Sequence, residues 1–187
     1  MRVAERTAVD PVFLFDIAER ASEDTIFAQT TSDEFFAELP AAKQYDLIFI
    51  DGLHTFEQTY RDLCNCLLHS HWRTPILIDD TLPSDVYSSL RDPGQTQAFR
   101  DAARSESSAW HGDTFKVVFA IHDFHLGLDY RTIVGFRESA DARVSPPQGL
   151  VAWHVLHIGE AGGALFTGDP GAVRGEADGV IPAAEHH

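Results

Sequence analysis

Short apolar runs alternate with amphipathic segments over the first 80 residues of the chain. The runs Tyr45 to Ile50 and Pro75 to Ile78 are almost continuously apolar, which is typical of strands that are buried on both faces of a parallel sheet. The runs Arg6 to Val12 and Thr25 to Gln29 are of the same kind but shorter. The pattern therefore predicts four strands in this part of the chain.

Two helices are predicted between these strands. Thr31 and Glu34 have the spacing of a capping box, and they precede a short apolar stripe that ends at Pro40. Thr55 and Gln58 repeat this spacing before a longer stripe. The members of that stripe are Phe56, Tyr60, Leu63 and Leu67. Strands and helices that alternate in this way form βαβ units, so we expect a parallel sheet with right-handed crossovers.

Three further helices are expected in the second half of the chain. Ser84 to Leu90 and Gln95 to Arg104 have helical patterns, and Asp113 is expected to cap a helix that runs to about His122. Phe115, Val118, Phe119 and His122 share one side of this last segment.

Two late strands and a tail complete the predicted architecture. Tyr130 to Val134 and Leu150 to Leu156 are expected to pair as antiparallel strands at one edge of the sheet. The length of 187 residues suits one domain, which we place at residues 1–157. Residues 158–187 are rich in glycine, alanine and acidic residues, and we expect them to form a mobile tail.

Composition excludes several classes of function. The formal net charge is −15, from 14 basic and 29 acidic residues, whereas nucleic acids and anionic membranes bind clustered lysine and arginine. No apolar run approaches the roughly 20 residues of a membrane span, and residues 1–10 lack the apolar core of a signal peptide. Two cysteines, Cys64 and Cys66, are too few for a disulfide framework, so we predict a cytoplasmic protein.

Acidic residues follow two of the predicted strands. Asp51 comes directly after one strand, and Asp79 and Asp80 come directly after the next. If these strands are neighbours, the three carboxylates converge at the edge where ligands bind in open α/β sheets. Carboxylates that close repel one another unless a cation lies between them, and oxygen ligands select a hard divalent ion, Mg²⁺ first. The alternative is that these acids only cap the strand ends and the next helix.

Histidine and tryptophan residues add to this candidate site. His54 lies three residues after Asp51, where it either acts as a general base or orients the turn. Trp110 and His111 follow a serine-rich segment that is expected to be a loop. They either line a substrate pocket or pack that loop.

The segment from Tyr45 to Asp80 resembles a known family. YDLIFIDGLHTFEQTYRDL, followed by TPILIDD, is similar to the class I S-adenosylmethionine-dependent methyltransferases, in particular the metal-dependent branch that includes relatives of catechol O-methyltransferase. The resemblance implies a Rossmann-like, doubly wound and mostly parallel sheet. It also implies that Asp51, Asp79 and Asp80 hold a divalent cation that binds the acceptor oxygens.

The resemblance also covers the cofactor site, but only in part. It implies that Asp10, at the end of the second strand of the family, binds the ribose hydroxyls of S-adenosylmethionine. In the family, a first strand and a glycine-rich turn precede this acid by roughly 20 residues. Only nine residues precede Asp10, and the first glycine is Gly52. We therefore expect a domain that lacks the usual first strand through truncation, degeneration or completion by a partner chain.

Three functions follow from these observations. The first is transfer of a methyl group from S-adenosylmethionine to a hydroxyl of a small molecule, with a divalent cation that lowers the pKa of that hydroxyl, and with Asp51 and His54 as the catalytic residues. The second is a non-enzymatic binding module with the methyltransferase fold. The third is a metal-dependent phosphoesterase, which lacks basic residues near the acids to bind phosphate. A strand edge left without its neighbour suggests a homodimer.

Overall fold

The computed structural model describes residues 4–136 and 150–158. Their contacts divide them into two compact units, of which the first holds residues 4–40 and the second begins at Ala41. The predicted tail lies outside the described residues, apart from Ile158. No helix in the described ranges is long and apolar enough to cross a membrane.

The first unit is a parallel strand pair with two short helices. Its elements in chain order are β1 (Arg6–Val9), α1 (Ile17–Arg20), β2 (Thr25–Ala28) and α2 (Ser32–Glu38). β1 and β2 pair in parallel, with Arg6 opposite Thr25 and Val9 opposite Ala28. Both strands lie where the apolar runs predict them, and each is shorter than the run that predicts it.

The capping box predicted at the start of α2 is present in the structure. The Oγ1 atom of Thr31 accepts a hydrogen bond from the backbone N–H of Glu34 at 3.3 Å, and the Glu34 carboxylate accepts one from the backbone N–H of Thr31. Each contact satisfies a donor that a helix start leaves open. This prediction is therefore confirmed.

Within the described residues, the second unit contains a four-stranded sheet and three helices. Its elements are β3 (Ile48–Ile50), α3 (Phe56–Leu68), β4 (Ile76–Ile78), α4 (Pro93–Ala103), α5 (Lys116–Phe124), β5 (Leu128–Phe136) and β6 (Leu150–Ile158). The strand order is β3-β4-β6-β5. β3 and β4 pair in parallel, whereas β6 is antiparallel to both β4 and β5. The parallel pairs and the late antiparallel pair confirm the predicted α/β class.

The core of the second unit lies between α3, α5 and the sheet. Its buried apolar residues are Ile50, Leu63, Cys66, Ile76, Ile78, Val117, Ala120 and Ile121. The prediction that the β3 strand is buried on both faces is wrong, because Phe49 is 49% exposed whereas Ile50 is 6% exposed. Side chains alternate between the faces of a strand, and α3 contacts β3 on one of them.

Three local predictions in the second unit are also wrong. Ser84 to Leu90 forms turns instead of a helix, because the side chains of Asp85 and Ser88 bond to nearby backbone groups. Thr55 makes no side-chain bond to the start of α3. That helix start is capped from a distant part of the chain: Asp113 accepts a hydrogen bond from Phe56 N at 2.8 Å, so Asp113 caps α3 and not the helix that follows it.

Candidate functional site

The ends of β3 and β4 lie side by side at one edge of the four-stranded sheet. Ile50 is the register partner of Ile78, and the backbone N–H of Asp79 continues the ladder by donating to the carbonyl of Ile50 at 3.0 Å. The chain therefore leaves both strands at the same edge. Asp51 follows one strand, and Asp79 and Asp80 follow the other.

Asp51, His54 and Asp80 meet at this edge. Each offers one potential ligand atom, and the three atoms lie within 4.8 Å of one another. The Nε2 atom of His54 is 3.5 Å from Oδ1 of Asp51, and its Nδ1 atom is 3.0 Å from Oδ2 of Asp80. About a fifth of each side chain is exposed. The imidazole therefore lies between two carboxylates that solvent can reach.

Left-handed backbone at two of these residues creates the arrangement. His54 and Asp80 each have a φ of 55°, a conformation in which Asn, Asp and His are enriched but which other residues rarely adopt. The loop before α5 stabilises the turn at His54, because the backbone N–H of Asp113 donates a hydrogen bond to the carbonyl of His54 at 3.2 Å. Strained conformations of this kind persist where the surrounding structure imposes them, and they concentrate at functional sites.

Trp110 holds the imidazole of His54 in place. The two rings stack with their centroids 5.2 Å apart and an interplanar angle of 16°. The Nδ1 atom of His54 lies 3.2 Å from the carbonyl oxygen of Trp110. The indole N–H of Trp110 is itself anchored, because it donates to the carbonyl of Leu90 at 2.8 Å. Trp110 therefore orients His54 through both its ring and its backbone.

The surroundings of His54 favour its protonated form. Burial acts to lower the pKa of this imidazole, but the contact with Asp51 and the charges of Asp80 and Asp51 outweigh burial. The pKa of His54 therefore lies above its usual value. A positive charge between Asp51 and Asp80 is favoured, whether a proton or another cation supplies it.

His111 lies on the far side of Asp80. Its Nε2 atom is 3.6 Å from Oδ1 of Asp80, and its backbone N–H donates to the carbonyl of Ser88 at 2.9 Å. Burial, together with the neighbouring His54, lowers the pKa of His111, whereas the pKa of His54 is raised. Trp110 and His111 thus both reach the acidic cluster.

Asp79 and Thr114 border a small cavity beside the cluster. The cavity is also lined by Ile50, Asp51, Gly52, His54, Thr59 and Asp80. Oδ1 of Asp79 accepts a hydrogen bond from the backbone N–H of Asp80 at 2.8 Å, which stabilises the turn after β4. Thr114 is 3% exposed, and within the described residues its Oγ1 atom has no hydrogen-bond partner. An unsatisfied buried hydroxyl is costly, so Thr114 is an unusual lining residue for this cavity.

Thr114 is a residue that the sequence did not single out. It directly follows the Trp110–Asp113 segment and stands before the apolar positions of α5. A threonine in that position is indistinguishable in sequence from a helix start. Only the chain path that brings α5 next to the ends of β3 and β4 places it in the cavity.

Asp10 belongs to the first unit. It directly follows β1, and its backbone N–H extends the pairing with β2 by donating to the carbonyl of Ala28 at 3.2 Å. Its Oδ1 atom accepts a hydrogen bond from the backbone N–H of Val12 at 2.7 Å, which closes a turn. The carboxylate can still accept further hydrogen bonds, because each of its oxygens has two lone pairs.

The donor set of the cluster suits a divalent cation. Two carboxylates and an imidazole are common ligands of such ions, and the cluster keeps solvent access for a further ligand. The buried hydroxyl of Thr114 adds a polar group to the same cavity. The residues therefore fit the cation that the sequence resemblance implies.

Comparison with known proteins shows a likeness to one family over the first part of the chain. A family model described as a methyltransferase domain matches residues 4–81, a range that includes Asp10, Asp51, His54 and both acids after β4. No curated protein matches the sequence significantly. The match covers fewer than half of the residues of the chain, and it confirms the resemblance to the class I S-adenosylmethionine-dependent methyltransferases.

Two solved structures are similar to this chain. One is a proposed O-methyltransferase from Klebsiella pneumoniae, with 14% identity, a TM-score of 0.44 and coverage of 74% of this chain. This chain spans about half of its length, 51%. The other is the plantazolicin methyltransferase BpumL in complex with a pentazolic desmethylPZN analog and SAH. It has 16% identity and a TM-score of 0.48, with coverage of 83% of this chain and 68% of that one.

Proposed function

We propose that this chain transfers a methyl group from S-adenosylmethionine to a hydroxyl oxygen of a small molecule, at a site that holds a divalent cation. The observation that carries the proposal is the cluster of Asp51, His54 and Asp80 at the ends of two paired parallel strands. The methyltransferase family match supports it, because that match includes all three residues.

The acidic residues have different proposed roles at the cation. Asp51 and Asp80 supply the charges that hold it, and Asp79 supports them by bonding to the backbone of Asp80. A bound cation supplies Lewis-acid stabilisation of an oxygen anion, and bound S-adenosylmethionine supplies the methyl group. Asp10 is assigned to the ribose hydroxyls, as the resemblance implies.

The reaction is a displacement at carbon. A lone pair of the acceptor oxygen forms a bond to the methyl carbon, while the carbon–sulfur bond breaks and its electron pair stays on sulfur. The acceptor hydroxyl loses one proton. His54 is the basic side chain at this point, and its Nε2 atom can either take that proton or bind the cation. Trp110 and His111 border the cluster, and the proposal assigns them to the pocket for the acceptor.

Two binding measurements test this proposal. Equilibrium dialysis with labelled S-adenosylmethionine is expected to show saturable binding that Asp10→Ala weakens. Calorimetry with Mg²⁺ and Co²⁺ is expected to show binding that Asp80→Asn weakens by about tenfold or more, because a negative charge of the cluster and a partner of the His54 imidazole are lost. Asp46→Asn is the matched control, since the Asp46 side chain is 99% exposed and pairs with His71 away from the cluster.

The outcomes separate the candidate functions. Absence of S-adenosylmethionine binding at millimolar concentration overturns methyl transfer and favours the non-enzymatic binding module. Absence of binding by any divalent cation overturns the metal-assisted mechanism.

A further inference from the structure

The two ring nitrogens of His54 face two different acceptors. Nδ1 lies 3.2 Å from the carbonyl oxygen of Trp110, and a carbonyl oxygen can only accept a hydrogen bond. Nδ1 must therefore carry a hydrogen. In the neutral imidazole, the lone pair then belongs to Nε2.

The Nε2 lone pair is directed at a second acceptor. Nε2 lies 3.5 Å from Oδ1 of Asp51, which is longer than the roughly 2.7–3.2 Å of an N–H···O hydrogen bond. Two ligand atoms that share one ion at about 2.1 Å each lie about 3.4 Å apart at a tetrahedral angle. The observed separation is therefore one that a cation shared by Nε2 and Oδ1 also produces.

The imidazole has the support that a metal-binding histidine needs. Such residues usually donate their other ring N–H to a carbonyl or carboxylate, and here Nδ1 has the Trp110 carbonyl and Oδ2 of Asp80 at 3.0 Å. Stacking on the indole ring and the imposed left-handed turn hold the ring orientation. Within the described residues, the hydroxyl of Thr114 has no hydrogen-bond partner. Because this side chain is 3% exposed and lines the adjacent cavity, it is a further polar group directed at the cluster.

We propose that His54 binds the divalent cation through Nε2 beside Asp51, so that the site selects Co²⁺, Ni²⁺ or Zn²⁺ over Mg²⁺ and Ca²⁺. Imidazole is a good ligand for the later transition metals, whereas Mg²⁺ and Ca²⁺ bind oxygen. The proposal rests on the cation site of the proposed function and deepens it. It also removes His54 as the base, since a nitrogen that binds the ion cannot take the acceptor proton.

The test compares Co²⁺ with Mg²⁺ on the full chain and on two histidine variants. His54→Asn removes the imidazole but suits the left-handed backbone, where asparagine is well tolerated. His71→Gln is the matched control, because His71 pairs with the exposed Asp46 away from the cluster. Isothermal titration calorimetry gives both affinities, and thermal unfolding without metal checks that each variant is folded.

The expected result is a Co²⁺ preference of at least about tenfold over Mg²⁺ in the unmodified protein, in line with the preference of imidazole for later transition metals. This preference shrinks in His54→Asn and is unchanged in His71→Gln. Proton NMR of the Co²⁺ form of the unmodified protein adds a readout that needs no variant. It is expected to show a strongly shifted exchangeable imidazole N–H signal, which is absent with Mg²⁺.

Two results overturn this inference, and they differ in what else they overturn. If His54→Asn is folded and keeps the full Co²⁺ preference, or if the shifted N–H signal is missing, His54 is not a ligand, while the proposed cation site remains. If the unmodified protein binds neither ion, the cation site of the proposed function fails as well.

Discussion

Gly112 is the position where a single added carbon should disturb both the fold and the candidate site. Its φ is 58°, which L-amino acids with a side chain rarely adopt. A Cβ atom built on Gly112 would lie 1.8 Å from the carbonyl oxygen of His54 and 2.9 Å from the carbonyl carbon. Both contacts are with backbone, so no rotation of a side chain can relieve them. We therefore expect Gly112→Ala to move the turn that carries His54.

The cost follows from two contributions. A side chain in the left-handed region costs about 1–2 kcal/mol. The contact with His54 must also open from 1.8 Å to at least 3.0 Å, the lower limit for real Cβ contacts. Backbone shifts of that kind typically cost about 1–3 kcal/mol. The expected loss is therefore about 2–5 kcal/mol, which is a large fraction of the roughly 5–15 kcal/mol that stabilises a typical domain.

Urea unfolding followed by circular dichroism measures this loss, and Gly127→Ala is the matched control. A Cβ at Gly127 would meet nothing within 4 Å, and its φ lies outside the left-handed region. We expect the control to change stability by less than about 0.5 kcal/mol. Gly112→Ala should in addition weaken cation binding, because the displaced carbonyl belongs to His54.

A folded Gly112→Ala protein with stability within about 0.5 kcal/mol of the Gly127→Ala control would refute this reasoning. It would show that the loop before α5 can move away from His54 at little cost. The claim that this loop imposes the left-handed turn would then be wrong.

Two further predictions concern an ion pair and the core. The pKa of Asp85 is lowered because hydrogen bonds from Ser88 and the charge of the buried Arg100 outweigh burial, which acts to raise it. Its contribution to stability is therefore present above the unfolded pKa of about 3.9 and is lost as the pH falls through the lower folded value. Asp85→Asn should reduce the free energy of unfolding at pH 7. The urea midpoint of this variant should also fall less steeply than that of the unmodified protein as the pH is lowered. Parallel pH profiles for the two proteins would contradict the role given to Asp85. Leu63→Ala, at a fully buried position of α3, should cost about 2–5 kcal/mol. Leu68→Ala, at a position of the same helix that is 74% exposed, should cost much less. Equal urea midpoints for the two variants would show that Leu63 is not part of a buried core.

The sequence alone predicted the elements whose signals are local. The apolar runs before Asp51 and Asp79 predicted β3 and β4, and the Thr31–Glu34 spacing predicted the start of α2. These signals are local because strand and helix periodicities and capping bonds involve residues only a few positions apart. Acids placed directly after two strands also predicted that the candidate site lies at the carboxyl ends of those strands.

Contacts between distant segments were beyond the reach of sequence patterns. Thr55 has the residue type of a helix cap, yet Asp113 caps α3 from 57 positions away. The helix predicted over Ser84 to Leu90 fails for a local reason, because the side chains of Asp85 and Ser88 bond to the backbone of their own segment and form turns.

For the candidate site, the sequence determined which residues stand at the strand ends, namely Asp51, His54, Asp79 and Asp80. Tertiary structure decided which of them meet: a left-handed turn at His54, closed by the loop before α5, puts an imidazole between two carboxylates. The sequence pattern does not contain that result, because the ring orientation depends on Trp110 and Gly112, which approach His54 only after the chain has folded.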